Sequence, residues 1–239
     1  MLMSLRLASL SEVGPRKINE DRLDFWESDD GDLFVAVADG LGGMGSGDIA
    51  SEFIIRRLRT EFSSADFSDA GLRSLGQTLH MELIKLQQER PSLDKMATTL
   101  SAGRFSNGRF RGLHCGDSRI AVARGDGVIR LTTDQTEGQR LYEAGKLTKQ
   151  EYRHYPRNHI LESALGAEKQ PIFQTVDFDF IRGDKFYFST DGVHDHVKLQ
   201  ELRNIGRRSN DPEEAIVAVK DLMTKRKPTD NYSLVVVFT

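Results

Sequence analysis

Five short acidic motifs lie far apart along this chain, and each stands beside glycine or at the end of a predicted strand. They are Asn19-Glu20-Asp21, Ala38-Asp39-Gly40, Gly116-Asp117-Ser118, Thr190-Asp191-Gly192 and Thr229-Asp230-Asn231. A fold that gathers such distant segments assembles a cage of carboxylate oxygens. Oxygen ligands without Cys or His select hard cations such as Mg²⁺ or Mn²⁺ over zinc. The sequence therefore predicts a metal site suited to the hydrolysis of a phosphate.

Length and charge limit the class of protein. The chain of 239 residues can bury a sizeable core, and we interpret it as a single domain. Its net charge of −3 does not indicate the positively charged surface that nucleic-acid-binding proteins have. We interpret the cluster Arg56, Arg57 and Arg59 as a solvated helix face. The single cysteine, Cys115, cannot form an intramolecular disulfide, which fits a reducing compartment.

The beginning of the chain reads as a first strand. Arg6 interrupts the apolar residues between Met1 and Leu10, and no small-residue cleavage site follows them. No apolar run approaches the length that a membrane span needs. We therefore expect a soluble, cytoplasmic protein without membrane insertion.

The first half of the chain combines a buried strand with two helices. The nearly continuous apolar run Leu33 to Ala38 predicts a buried strand that carries Asp39 at its tip. A glycine-rich turn follows, then a helix from Ser46 and a second helix from about Ala70 to Arg90, which Pro91 ends. The buried face expected for the first helix consists of Ile49, Phe53, Ile54 and Leu58.

The second half alternates strands and helices. Turn signals between Thr98 and Thr132 predict an antiparallel meander, and the polar stretch at about 137–170 is interpreted as a flap subdomain. Strand patterns resume at 172–180 and 185–189, followed by helices at 198–208 and 212–226. Tyr232 to Thr239 reads as a central strand with Asp230 at its mouth. Strands with paired helices on either side predict a central antiparallel β-sandwich with helical cover, an α/β/β/α arrangement of the α+β class.

Seven motifs in a fixed order carry a resemblance over nearly the whole chain. They are Arg16-Lys17-Ile18-Asn19-Glu20-Asp21, Asp39-Gly40-Leu41-Gly42-Gly43, Met96-Ala97-Thr98-Thr99, Gly116-Asp117-Ser118-Arg119, Leu131-Thr132-Thr133-Asp134, Ser189-Thr190-Asp191-Gly192-Val193 and Asp230-Asn231. This series resembles the PP2C family of metal-dependent protein serine/threonine phosphatases, and looks most like its small bacterial members.

The resemblance implies a centre of two Mg²⁺ or Mn²⁺ ions. Asp39 would bridge both ions, with the Gly40 carbonyl on one of them and Asp191 and Asp230 on the other. Two such ions about 3.5–4 Å apart can activate a shared water and stabilise both ends of an in-line displacement. The resulting hydroxide would attack phosphorus directly, without a phospho-enzyme.

Further acidic residues match the family at the rim of this centre. Glu20 and Asp21 would hold metal-bound waters or complete the inner shell. Asp117, Asp191 and Asp195 match the ligands of a third, weaker metal ion in bacterial relatives.

The resemblance also implies substrates and partners. Arg16 matches the family's phosphate-binding arginine, whose planar guanidinium can clamp two phosphate oxygens. The substrates would be phosphoserine and phosphothreonine proteins, including a Ser/Thr kinase and its targets, and we expect the enzyme to be a monomer. Leu41 stands where many eukaryotic members carry a histidine that is proposed to protonate the leaving group, so the general acid is open.

Two alternative functions come from other classes. The spacing from Gly40 to Gly45 also fits a dinucleotide-binding turn, but no second parallel strand ending in an acid follows it. The second alternative is a pseudophosphatase that binds phosphoprotein without hydrolysing it. A protein that only binds has no need to hold mutually repelling carboxylates together, which argues against this alternative.

Several residues are interpreted without a catalytic role. We expect His194 and His196 to be surface or flap-facing residues, since their spacing alone is weak evidence for zinc. Cys115 is expected to be a small buried apolar residue. Packing accounts for the β-branched Thr98 and Thr99 at a strand start, and a hydrogen bond to a metal-bound water is a second role open to them.

Overall fold

A computed structural model describes residues 5–41, 46–62 and 64–239. The strands are β1 (Arg6–Glu12), β2 (Asp21–Glu27), β3 (Leu33–Leu41), β4 (Ala97–Thr98), β5 (Leu100–Ser106), β6 (Arg109–Cys115), β7 (Arg119–Arg124), β8 (Gly127–Arg130), β9 (Gln174–Asp179), β10 (Lys185–Ser189) and β11 (Tyr232–Phe238). The α-helices are α1 (Gly47–Phe62), α2 (Asp69–Glu89), α3 (Glu137–Glu143), α4 (Lys149–Arg153), α5 (Asp191–His194), α6 (Leu199–Arg208) and α7 (Pro212–Arg226). The first four residues and the predicted glycine-rich turn at 42–45 lie outside the described residues.

The strands form two antiparallel sheets that face each other. One sheet has the order β1-β11-β10-β7-β8, and the other has the order β2-β3-β5-β6-β9, with β4 paired to the end of β3. Between them lies an apolar layer to which both sheets contribute, for example Val35 and Val37 from β3 and Val235 and Val237 from β11. The predicted sandwich is confirmed.

The two central strands are apolar throughout because both of their faces are covered. On β3, Phe34, Ala36 and Ala38 point away from the sandwich and pack against α1 and α2. On β11, Leu234 and Val236 pack in the same way against a second helical layer that includes α7. Alternating side chains of one strand thus enter two different cores, which explains the unbroken hydrophobic runs.

The helix boundaries follow their capping signals. Asp211 accepts a hydrogen bond from the backbone N–H of Glu214, with Pro212 in the first turn of α7. Ser68 caps α2 in the same way, and α2 ends before Pro91. None of the described helices is both long enough and apolar enough to cross a bilayer.

Two details of the predicted fold were wrong. The segment between Thr98 and Thr132 is not one meander, because β5–β6 and β7–β8 are hairpins in different sheets, and the chain crosses the sandwich at 116–118. Ile49 is 38% exposed, whereas Ile54 and Leu58 are buried as expected, on a stripe that also includes Ala50. This crossing matters for the site because Asp117 lies on it, between the two sheets.

The dinucleotide alternative is contradicted by the strand directions. β3 does lead toward α1, but its partners β2, β4 and β5 all run antiparallel to it. A dinucleotide fold requires a parallel neighbour at this position. The stretch at 137–170, predicted as a flap, contains α3 and α4, and its role stays a prediction.

Candidate metal centre

The carboxylates converge where β2, β3 and β10 meet at one end of the sandwich. Asp21 begins β2 directly opposite Asp39 in the register of β2 and β3. Ser189 ends β10, so that Asp191 lies at the start of α5 just beyond it. Burial and the charges of Asp21, Asp191 and Asp117 raise the pKa of Asp39 well above its ordinary value.

The backbone of Asp39 is held from both sides by two threonines. Its N–H donates to Thr99 Oγ1 at 2.9 Å, and its carbonyl accepts from Thr98 Oγ1 at 2.9 Å and from the backbone N–H of Thr99 at 2.9 Å. Thr99 Oγ1 also lies 2.6 Å from Ser118 Oγ, beside Asp117. Both threonines are fully buried, so they fix the strand end that carries Asp39.

Glu20 and Gly40 meet the first turn of α1 at very close range. The backbone N–H of Gly40 donates to the Glu20 carbonyl at 3.1 Å, and Glu20 Oε1 accepts from the N–H of Gly47 at 3.2 Å. A Cβ on Gly40 would overlap the carbonyl of Gly47 and come within 2.6 Å of the carbonyl oxygen of Glu20. Glycine is therefore required where β3 passes the helix.

Asp21 is connected to the opposite sheet through Thr190. Thr190 Oγ1 donates to Asp21 Oδ2 at 2.8 Å and accepts from the backbone N–H of Ser233 at 2.9 Å. Burial is the main reason that the pKa of Asp21 rises to about 7, and the charges of Asp191 and Asp230 add to it. The hydroxyl of Thr190 thus joins β2, β10 and β11 at one carboxylate.

Asp230 lies at the mouth of β11, and Arg16 covers it. Arg16 Nη2 lies 2.6 Å from Asp230 Oδ2, and the two side chains are 56% and 39% exposed. Next to this pair, Asn231 Oδ1 accepts from the N–H of Glu20 at 2.9 Å, and its Nδ2 donates to the carbonyl of Ile18 at 3.0 Å. Asn231 therefore fixes the loop that carries both Arg16 and Glu20.

Asp117, Asp191 and Asp195 line a cavity of about 180 Å³ together with residues of the predicted flap, including Asn158 and His159. Burial raises the pKa of Asp117 well above its ordinary value, and Asp191 adds to that rise. Asp195 is the exposed member of the three, whereas Asp117 is 9% exposed.

The wall of this cavity contains a buried ion pair and a buried histidine. Arg119 donates through Nε and Nη2 to the two carboxylate oxygens of Asp134 at 2.9 and 2.6 Å. His194 is not a surface residue, since it is 8% exposed and its Nδ1 lies 3.2 Å from Ser189 Oγ. It does face the segment predicted as a flap, because it lines the same cavity as Asn158 and His159. Burial lowers the pKa of His194 well below its ordinary value, which keeps the ring neutral.

The donor set fits a hard divalent cation. Among the described residues, no group of three or more His, Cys, Asp or Glu side chains stands in an arrangement that could hold a metal ion. The carboxylates nevertheless interact strongly, because burial and like charges raise the pKa of Asp39, Asp117 and Asp191 alike. A Mg²⁺- or Mn²⁺-like cation among these carboxylates would offset their mutual repulsion.

The structure brings together all of the predicted site residues. Through-space charge interactions link Glu20, Asp21, Asp39, Asp117, Asp191, Asp195 and Asp230. Sequence reasoning gave no role to Thr190, Ser118 or Asn231, which hold these carboxylates in place. All three stand inside the motifs Gly116-Asp117-Ser118, Thr190-Asp191-Gly192 and Asp230-Asn231, so their position beside an acid was the available signal.

Comparison with known proteins gives consistent results. A family model described as protein phosphatase 2C matches residues 14–223. A serine/threonine phosphatase, Stp, from Listeria innocua is 30% identical over 196 residues, which cover 80% of this chain and 78% of the relative. A serine/threonine phosphatase structure from S. agalactiae has the same fold, with a TM-score of 0.90 at 22% identity over 99% of this chain and 100% of its own. The catalytic domain of PstP, solved in complex with two manganese ions, has a TM-score of 0.81 at 27% identity over 98% of this chain and 97% of its own.

Proposed function

The chain belongs to the protein phosphatase 2C family, and from that membership we propose that its carboxylate cluster holds Mg²⁺ or Mn²⁺ for the hydrolysis of phosphoserine and phosphothreonine in proteins. It is a metal-dependent protein serine/threonine phosphatase, and its curated relatives are named serine/threonine phosphatase and protein phosphatase. The observation that carries the proposal for the site is the convergence of Asp39, Asp191 and Asp21 from three strand ends, with the pKa of each raised by burial and by its neighbours.

The residues divide into core and rim. Asp39, the Gly40 carbonyl, Asp191 and Asp230 would hold two core ions, the ligand set that the family resemblance implies. Bound divalent ions lower the pKa of a water nucleophile and offset the charge of the phosphate. PstP with its two manganese ions supports two core sites.

The rim residues would complete the coordination. Glu20 and Asp21 flank the core, and their side chains already accept hydrogen bonds from Gly47 and Thr190. Such contacts orient a carboxylate toward a metal-bound water. Asp117, Asp191 and Asp195 would hold a third, weaker ion at the cavity beside the flap.

Arg16 would bind the phosphate of the substrate. Its guanidinium is half-exposed at the mouth of the centre and paired with Asp230. A cation bound to Asp230 would compete for that carboxylate and free the guanidinium to clamp two phosphate oxygens. Arg16 thus serves binding and orientation of the substrate. The partner would be a Ser/Thr kinase with its substrates, and the enzyme would act as a monomer.

Hydrolysis of p-nitrophenyl phosphate by purified protein tests this proposal. We expect turnover with Mn²⁺ or Mg²⁺, none with EDTA, and a loss of at least about a thousandfold in Asp39→Asn, since metal-assisted catalysis depends on that ligand. Asp179→Asn is the matched control, because Asp179 is a remote carboxylate with an 83% exposed side chain.

The alternative in which the protein only binds phosphoprotein makes the opposite prediction. No turnover with any metal, together with retained binding of a phosphoserine peptide, would support that alternative and contradict an enzyme. Activity that persists in Asp39→Asn would contradict the assignment of the metal ligands.

A further inference from the structure

A groove between α1 and α2 lies outside the carboxylate centre. Ile49, Phe53 and Arg56 form one wall along α1, and Leu86 and Arg90 form the other at the C-terminal end of α2. We call this surface the arginine groove. Its residues on α1 recur at the spacing of one helical face, and that face is not the one that packs against the sheet.

The groove combines an apolar floor with positive charge. Ile49 is 38% exposed, while Phe53 and Leu86 are partly buried against the core. Arg56 projects from the α1 wall with a side chain that is 79% exposed, and Arg90 is exposed on the α2 wall. Apolar and cationic groups side by side suit a peptide segment that carries both acidic and apolar side chains.

Three arginines and one carboxylate, Glu52, line the groove, so its positive charges outnumber its negative ones. Arg57 is tightly bound, since it donates to both carboxylate oxygens of Glu82 at 2.8 and 2.7 Å. Glu52 is shared between Arg56 and Arg22, each at 3.8 Å, so neither pair is close. Although the whole chain has a net charge of −3, this surface is therefore attractive to anions.

The groove begins beside the metal centre. Ile49 follows Gly47, whose N–H donates to Glu20 Oε1 at 3.2 Å, by two positions. Arg56 lies a further seven positions along α1, about 13 Å from Gly47 at the rise of an α-helix. An extended peptide covers that distance in about four residues. A single substrate chain can therefore occupy both places.

We propose that the arginine groove docks an acidic, apolar-containing segment of the phosphoprotein substrate, about three to six residues from its phosphoserine. This inference rests on the proposed phosphatase activity. Docking at a distance from the phosphate would give the enzyme a preference among phosphoproteins that the small phosphate site alone does not provide. The contacts at the groove would act mainly on substrate affinity, since they remain the same in ground and transition states.

An acidic peptide in two versions, a reference peptide and two double variants test the docking. One phosphoserine peptide carries a Glu-Leu-Asp-Phe segment three to six residues from the phosphoserine, placed before it in one version and after it in another. The reference peptide has Ser-Gly repeats there. We expect Arg56→Glu/Arg90→Glu to lower kcat/KM for the acidic peptide by about tenfold, mainly through a higher KM. Two exposed attractive charges become repulsive toward the acidic segment, and exposed charge pairs contribute energies of this order. Hydrolysis of p-nitrophenyl phosphate should not change.

The control variant reverses two arginines elsewhere. Arg182→Glu/Arg208→Glu changes the net charge by the same amount at exposed positions outside the groove. This variant should hydrolyse the acidic and the reference peptides with kcat/KM values within about twofold of those of the wild-type enzyme. Equal losses in both double variants would show a general charge effect and overturn the docking site, as would equal kcat/KM for the two peptides in the wild-type enzyme.

A binding measurement separates this inference from the phosphatase assignment. Fluorescence anisotropy with the acidic peptide lacking its phosphate needs no turnover, and Arg56→Glu/Arg90→Glu should weaken that binding. If the wild-type protein hydrolysed no p-nitrophenyl phosphate, the proposed phosphatase activity would be contradicted. The anisotropy measurement would still show whether the arginine groove binds the acidic peptide. Unchanged anisotropy, or a dimer that the same variant converts to monomer in sedimentation, would overturn the docking of substrate.

Discussion

The backbone N–H of Asp39 donates a hydrogen bond of 2.9 Å to the hydroxyl oxygen of Thr99. The same oxygen lies 2.6 Å from Ser118 Oγ, so that Thr99 connects the end of β3 with the crossing that carries Asp117. The strand end that carries Asp39 and the crossing that carries Asp117 are thus connected through one buried hydroxyl group.

Replacing that hydroxyl tests its role. We expect Thr99→Val, which keeps the shape of the side chain, to lower the free energy of unfolding by about 1–3 kcal/mol, because the buried N–H of Asp39 loses its acceptor. The value of kcat should fall as well, since Asp39 is no longer fixed. Urea denaturation and p-nitrophenyl phosphate kinetics measure both. Thr99→Ser retains the hydroxyl and should stay close to wild type in kcat, and a variant as inactive as Thr99→Val would contradict this account.

The metal-free protein should lose stability as the pH rises. Burial raises the folded-state pKa of Asp21 to about 7 and that of Asp39 well above its ordinary value, so the folded state binds more protons than the unfolded chain. Stability therefore falls between about pH 4, where unfolded carboxyl groups ionise, and about pH 7. Thermal unfolding in EDTA should show a decreasing Tm over this range.

Asp39→Asn provides the matching control for that pH dependence. The amide carries no charge, so the variant should have a higher Tm than wild type at pH 7.5 in EDTA and a shallower slope against pH. Added Mn²⁺ should raise the Tm of the wild type and have a smaller effect on the variant. A wild-type Tm that increases from pH 5 to pH 7 would contradict the electrostatic account.

The buried ion pair of Arg119 and Asp134 makes a second prediction about stability. Burial alone would raise the pKa of Asp134, but hydrogen bonds and charge from Arg119, with the charge of Arg130, hold it at about 2. Asp134→Asn should cost about 3–5 kcal/mol in urea denaturation, because Arg119 is left without its counterion. Asp177→Asn, which breaks the exposed pair with Arg109, should cost less than about 1 kcal/mol. Equal costs would contradict the distinction.

The contact between Gly40 and the start of α1 leaves no room for a side chain. Gly40→Ala should lower the free energy of unfolding by at least about 1–3 kcal/mol and reduce turnover, because β3 and α1 must separate beside Glu20. Gly127→Ala is the control, since its added Cβ would come no closer than 3.4 Å to the nearest atom, the carbonyl oxygen of Arg124. A fully stable Gly40→Ala would show that the two segments are not packed this closely.

The pair of Arg16 and Asp230 predicts a kinetic signature. Arg16→Ala should raise KM for p-nitrophenyl phosphate with a smaller change in kcat, because the guanidinium binds phosphate in ground and transition states alike. Lys17→Ala removes a neighbouring exposed cation and should change neither constant by more than about twofold. A fall in kcat alone would instead make Arg16 a group that acts in the transition state.

Much of the site could be read from the sequence, for a local reason. Each ligand candidate follows or begins a strand whose pattern is visible, as with Asp39 after Leu33–Ala38 and Asp230 before the last strand. The residues that hold these ligands were less visible. Thr190 reaches Asp21 across 169 positions, and Asn231 reaches Glu20 across 211 positions, so no local pattern reports either hydrogen bond.

The misinterpreted elements have the same cause. The two hairpins between Thr98 and Thr132 have the expected turns. Which sheet each one joins depends on pairing with strands outside this segment, β3 and β9 for one hairpin and β10 for the other. His194 was expected on the surface or facing the flap, and the short helix α5 buries it in the cavity wall beside that segment.

The sequence by itself determined the strands, the helix ends and the acids that stand between them, because periodicity and capping act over a few residues. The tertiary structure alone decided which sheet each hairpin joins, which hydroxyl groups hold the carboxylates, and how far their pKa values rise. These properties depend on burial and on contacts between residues distant in the chain, and they exist only once the two sheets have packed against each other.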